Sequence, residues 1–334
     1  MSAVPPGEPF HRLARIERRR WWRSPYEVLA LLVIAIVVVG VVMGSWEAIH
    51  VALGGGEADL DGDQLFPNQT EDIAAELVLI GLLLPAVLLT VRLVGRRPAG
   101  SVLSVVGRLR WRWLMLCTLP ALACTLLSYG ISIVVDWIWP VEAEAEGSWI
   151  GWDAFWLPAV LIVLLVPVQS AAEEVVFRGW LLQLVGASGS GRRGGSGFVR
   201  RWRAALRSPW PAIVVSSAAF AAGHEYTAWA LADLVVWAMA MGWLAVRTGG
   251  VEAGIAFHAT GNLAAFLLPV AFGLYDDTQG AGSWDLLVYD VPPSLVYLLA
   301  VTWLARRRRV ARSSPPLPEP PVVGPAWHPA LRGD

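Results

Sequence analysis

The chain has 334 residues, 56% of them hydrophobic and only 16% charged, with a mean hydropathy of +0.53. A water-soluble domain carries nearer a quarter charged residues, so this composition excludes an ordinary soluble fold and asks for lipid as part of the solvent. The net charge of −1 says little as a sum, but the basic residues are all arginine and are placed unevenly.

Taken in chain order, the apolar runs predict an all-α, polytopic membrane bundle of about eight spans. They are Val28–Met43, Ile73–Val94, Trp113–Val135, Ala154–Val185, Pro211–Tyr226, Ala228–Val246, Val251–Phe272 and Leu286–Ala305. Most approach the ~20 residues needed to cross the hydrocarbon layer. The fifth is short, and the eighth is interrupted by Asp290, Pro292 and Pro293. The first follows a long basic leader and has no small-residue cleavage site, so it is expected to be retained rather than removed as a signal peptide. Cys117 and Cys124 fall in span three, about 10 Å apart along a helix, too far for a mutual disulfide. They read as apolar packing residues. The 19 tryptophans suit interfacial anchoring.

Arginine placement tests the span count. Of 26 arginines, 25 fall on one side of an eight-span arrangement, while Gly44–Asp72, Asp136–Asp153 and Gly273–Pro293 contain none. The positive-inside rule then puts both termini in the cytoplasm of a multi-pass cell-membrane protein. The remaining arginine, Arg178, lies inside span four.

The expected organisation is a basic N-terminal segment (1–25), three spans with loops (26–153), a core of spans four to seven (154–272), an outer loop and last span (273–305), and a cytoplasmic Arg/Pro-rich tail (306–334). Within the core, GASGSGRRGGSG reads as a flexible linker, and the basic, amphipathic FVRRWRAALR after it suits either the anionic leaflet surface or an ordinary cytoplasmic loop. The proline-rich end of the chain reads as disordered. No internal repeat of the transporter kind is evident.

Charged groups at bilayer depth are costly and usually face a partner or a cavity. Span four carries Glu173, Glu174 and Arg178, span five His224, and span seven His258 and Asn262. Glu174 and Arg178 are four apart and share a helix face, so they read as a structural pair. Glu173 points ~100° away and is left as the working carboxylate. Gln169, one turn earlier, is a candidate supporting partner. Counted inward from the cytoplasmic span ends at about 1.5 Å per residue, Glu173, His224, His258 and Asn262 lie about 14–20 Å deep. Residues from three helices at similar depth suit one shared pocket. A carboxylate in a low-dielectric cavity holds protons more tightly, which suits taking one from water. An imidazole and an amide beside it could stabilise an oxyanion. Peptide hydrolysis by an activated water fits this set.

The motifs EExxxR (Glu173, Glu174, Arg178), FxxxH (Phe220, His224) and HxxxN (His258, Asn262), in that order, resemble the CPBP family of intramembrane proteases. This is the Rce1-like, CAAX prenyl protease 2 or Abi-type group, which includes bacteriocin-immunity proteins. The resemblance runs from about Ala154 to Phe272. It implies an eight-helix fold, a glutamate-activated water completed by the two histidines and the asparagine, and a cavity reached from the cytoplasmic side. It also implies a membrane-anchored peptide or protein substrate, CAAX-like or otherwise, and no nucleic acid. The family's naming as metalloproteases raises zinc. His224 and His258 could contribute ligands, but an amide is an unusual zinc ligand and HExxH is absent. Phe220 is expected to pack. Two other readings stay open: a non-catalytic scaffold or immunity factor of the same fold, and a proton-coupled transporter.

Overall fold

The computed structural model describes residues 4–15, 23–55, 65–140, 147–187, 196–274 and 282–316. Most of the Arg/Gly/Ser linker (188–195) and of the proline-rich tail (317–334) lies outside them.

The described residues are helical without a strand, and seven helical stretches are long and apolar enough to cross a membrane. Helix α1 spans Arg23–Ala52; α2 (Gln69–Gly81) and α3 (Leu83–Leu93) form one broken crossing; α4 spans Trp111–Ile138. Then come α5 (Trp152–Glu174), a π-helical segment Val175–Leu181 and α6 (Leu182–Gly186), again one crossing. Helices α7 (Gly197–Arg207), α8 (Trp210–Ala221), α9 (Ala228–Thr248), α10 (Glu252–Phe272) and α11 (Leu286–Arg307) complete the chain.

One sequence expectation changes, and another, the eighth span, holds. The fifth expected span, Pro211–Tyr226, is helical only as the 12-residue α8 and gives way to irregular backbone over 222–227. The eighth is unbroken despite Pro292 and Pro293.

Local chemistry sets several boundaries. The Asn68 side chain accepts the Glu71 amide at 3.0 Å and caps α2, whose first turn carries Glu71 and Asp72 at the positive end of the helix dipole. Gly249 ends α9 with φ +74°, a conformation open to glycine; any Cβ there would also lie 2.5 Å from the Ala311 carbonyl oxygen.

Helix α10 is the axis of the bundle, packed against α4, α5 and α9; α2 lies on α5, α11 on α4 and α9, and α8 on α9. At one end the arginines gather. Arg110 grips Glu252 with paired 2.7 Å bonds and reaches the carbonyls of Thr248 and Ala311, tying the start of α4 to that of α10. Arg97, which charge counting treats simply as a loop cation, is fully buried, bonding Gln183 at 2.7 Å and Ser101 at 3.2 Å, with Glu27 3.9 Å away. At the opposite end tryptophans gather: Trp139 meets Trp284, and Trp149 meets Trp152.

The N-terminal segment closes the arginine-rich end. Phe10, Leu13 and Ala14 are fully buried, the Gly7 amide donates to the Ser314 carbonyl, and the Ser314 amide donates to that of Glu8. His11 is buried there, its Nε2 3.4 Å from the Arg207 carbonyl oxygen. Burial pushes its imidazole below the ordinary value of 6.5, while the Arg207 carbonyl pulls the other way. An undocked segment therefore binds protons more readily than a docked one. Docking stability is complete above about pH 6.5 and declines as pH falls through and below it. Hydrogen exchange at residues 10–14, corrected for intrinsic rates, should be faster at about pH 5.5 than at about pH 7.5, and His11→Gln should flatten the difference.

Candidate active site

The site is built on a change of helix geometry. Directly after Glu174 the chain widens into the π-helical segment, where the Leu182 amide donates to the Phe177 carbonyl five residues back. Such wide turns are rare and recur at functional sites. Gly179 lets the segment seat against the 99–102 turn, since a Cβ there would lie 2.4 Å from the Val102 carbonyl oxygen.

Glu174 and Arg178 are both fully buried and form an ion pair at 2.9 Å. The guanidinium lies over the Phe220 ring, 4.0 Å from its centroid, and 5.0 Å from that of Trp237. An arginine so buried is held by a carboxylate and two aromatic faces in place of water.

His258 joins the two glutamates. Its Nε2 is 3.3 Å from Glu173 Oε2 and its Nδ1 is 3.3 Å from Glu174 Oε1. Glu174 is thus shared between Arg178 and His258. Glu173 Oε2 also accepts Gln169 Nε2 at 2.7 Å, and Gln169 Oε1 accepts Asn262 Nδ2 at 3.2 Å and the Ser170 hydroxyl at 3.1 Å. Glu173, Glu174, His258, Gln169 and Asn262 therefore form one connected polar network across α5 and α10. Asn262 reaches Glu173 through Gln169 rather than directly.

His224 stands beside this network. Its Nδ1 lies 2.8 Å from the Phe220 carbonyl oxygen, and its ring packs on Phe220 at 4.6 Å between centroids. It makes no ion-pair contact with either glutamate among the described residues. Phe220 links it to His258, with those rings 6.0 Å apart. A carbonyl partner at Nδ1 fixes the proton there in the neutral ring and leaves Nε2 as an acceptor.

Residues 154–264 match the family model for Rce1-like type II CAAX prenyl endopeptidases, and every motif residue named above lies within that range. These residues are similar to that family. The chain is also 23% identical over 266 residues to "Uncharacterized protein YyaK" of Bacillus subtilis (strain 168), covering 75% of this chain and 81% of that protein. No solved structure matches. Seven apolar crossing-length helices, together with the match of residues 154–264 to an Rce1-like family model, support a multi-pass membrane protein.

Two further residues of this core lie outside the three motifs. Trp237 on α9 packs its ring 4.9 Å from His258 and covers Arg178; in a chain with 19 tryptophans nothing in the sequence singles it out. Gly254, one turn before His258, makes room for Glu174, whose Oε2 would lie 2.2 Å from a Cβ at that position. The small residue four before the motif histidine was the available signal. Gly254→Ala must push Glu174 off Arg178 or His258, so a fall in activity of about 10²-fold is expected with the helices intact, measured as turnover alongside circular dichroism.

For zinc, the geometry of this site offers a poor donor set. Both His258 nitrogens face carboxylates, Glu174 is neutralised by Arg178, and His224 lies apart with only Nε2 available. No cluster of three His, Cys, Asp or Glu side chains suited to a metal occurs among the described residues. The arrangement does not fit a structural or catalytic zinc site of the usual three or four ligands.

Proposed function

We propose that this protein is an intramembrane endopeptidase that hydrolyses a peptide bond of a membrane-associated substrate through a water activated by Glu173. The observation that carries the reading is the fixing of Glu173 Oε2 by Gln169 at 2.7 Å and His258 at 3.3 Å, inside an Rce1-like core. With Oε2 occupied, Oε1 is the oxygen left for water. Glu173 Oε1 takes a proton as the water oxygen attacks the scissile carbonyl carbon. His224 Nε2 accepts the second water hydrogen and holds the nucleophile in line. The developing oxyanion is met by the Asn262 amide hydrogen not engaged with Gln169. Glu173 then returns its proton to the amide nitrogen as the C–N bond breaks, leaving a free amine and a carboxylic acid. Glu174, paired with Arg178, steadies His258 from behind.

The arginine-rich end is the cytoplasmic one under the positive-inside rule, so both termini are cytoplasmic. CAAX-type tails and bacterial membrane peptides, including targets of immunity proteins, are the two substrate classes that this family reading brings. The test is reconstitution of the purified protein with a panel of membrane-anchored peptides. Wild type cleaves, and equally folded Glu173→Ala and His258→Ala do not. Full biological activity in both variants would instead establish a non-catalytic scaffold.

A further inference from the structure

The site is closed toward the arginine-rich end and less tightly packed toward the other, beside the end of α8. On α10, residues 251–258 are all buried, whereas 259–269 are all at least partly exposed, Asn262 among them. On the neighbouring crossing, residues 172–176 and 178–180 are buried; toward the opposite end Ile162 and Val166 stay buried against Val270, and only the outward stripe Trp152, Trp156, Val160 and Leu164 is exposed. Beneath the network lie the docked N-terminal segment with Phe10 and Leu13 fully buried, the buried Arg97–Gln183 bond and the Arg110–Glu252 clamp. On the arginine-free side an apolar cluster of Ile73, Leu77, Ile162, Val166 and Val270 packs between α2, α5 and α10, whereas none of residues 222–229 is buried.

An irregular segment stands on that side. Helix α9 has 21 residues and α8 has 12, so α8 is shorter by about 13 Å at 1.5 Å per residue. Residues 222–227 make up the difference without helix, and Ala222, Gly223, Glu225, Tyr226 and Thr227 are exposed. Irregular backbone at membrane depth is tolerated only when buried in protein or lining a water-filled cavity. These residues are not buried in protein. An exposed carboxylate, Glu225, at the same place is expensive in lipid and cheap in water. His224, partly exposed and ring-stacked on Phe220, belongs to this segment and also faces the site.

We propose that water and the scissile segment of the substrate reach Glu173 from the arginine-free end, through a hydrated opening formed by residues 222–227 and the outer half of α10. Under the topology given above this end is extracytoplasmic. The substrate class is then a membrane-anchored peptide whose scissile bond is presented at the outer side of the bilayer, and not a cytoplasmic carboxyl-terminal tail. This rests on the peptidase reading for the word substrate, but the hydrated opening stands without it, and it departs from the cytoplasmic access that family resemblance implies.

The test uses full-length protein in intact cells with Cys117→Ala and Cys124→Ala as background, both native thiols being buried. Glu225→Cys and, as control, Arg308→Cys on the exposed arginine-rich end are treated with a membrane-impermeant maleimide. The expected result is labelling of Glu225→Cys in intact cells and of Arg308→Cys only after permeabilisation. A bulky adduct at 225 should then slow peptide cleavage about tenfold or more by obstructing approach, and one at 308 should not. A thiol at 225 that stays unreactive from both sides lies in lipid and overturns the opening. Labelling at 225 only after permeabilisation, or inhibition by the adduct at 308 alone, overturns the side of access. Normal labelling with no cleavage by any form sinks the peptidase reading and leaves the opening intact.

Discussion

Glu173→Gln should abolish nearly all peptide hydrolysis, lowering turnover by about 10²–10⁴-fold, the usual contribution of a positioned general base. The substitution keeps the shape of the side chain, and its carbonyl oxygen can still accept Gln169 Nε2, now 2.7 Å from Oε2. Packing around residues 169–176 should therefore persist, and the melting temperature in detergent should move little. What disappears is the oxygen able to take a proton. A loss in turnover with little change in KM is the signature, because Glu173 is asked to act on water and not to bind the peptide. Retention of more than about a tenth of wild-type turnover would shift the base role to another group.

Much of this arrangement was readable because lipid imposes strict rules on sequence. Crossing helices must be long and apolar, and arginines must avoid one side, so α4, α9, α10 and α11 follow from hydropathy almost as they stand, while α1 runs well beyond Val28–Met43 at both ends. Spacing of four residues on one helix also reads directly: Glu174 meets Arg178, and Gln169 meets Glu173. The same rules failed at Pro211–Tyr226. A hydropathy window weighs composition, and this stretch is apolar enough, yet α8 ends at Ala221 before Gly223, His224 and Glu225. Contacts between distant segments were beyond any local rule. The His258 bridge to both glutamates spans 84 residues to Glu174, and the Arg97–Gln183 bond spans 86. Neither the wide turn after Glu174 nor Trp237 leaves a periodic trace in sequence. The charge count placed Arg97 among loop cations because it cannot see burial.

Arg178→Met should be the most destabilising single change in the core, by about 3–5 kcal/mol, since it leaves the fully buried Glu174 carboxylate without its cation. Methionine is close enough in length to occupy the space under Phe220 and Trp237, and its sulfur packs well against aromatic rings. The loss is thus electrostatic more than steric. That distinction is measurable. Adding Glu174→Gln removes the orphaned charge, so the double variant Arg178→Met/Glu174→Gln should recover most of the melting temperature lost by the single one. Activity should not return with stability, because Glu174 Oε1 also holds His258 Nδ1 at 3.3 Å, and an uncharged amide orients that ring less firmly. A double variant as unstable as the single one would mean that the guanidinium's stacking, and not its pairing with Glu174, holds the centre of the bundle together.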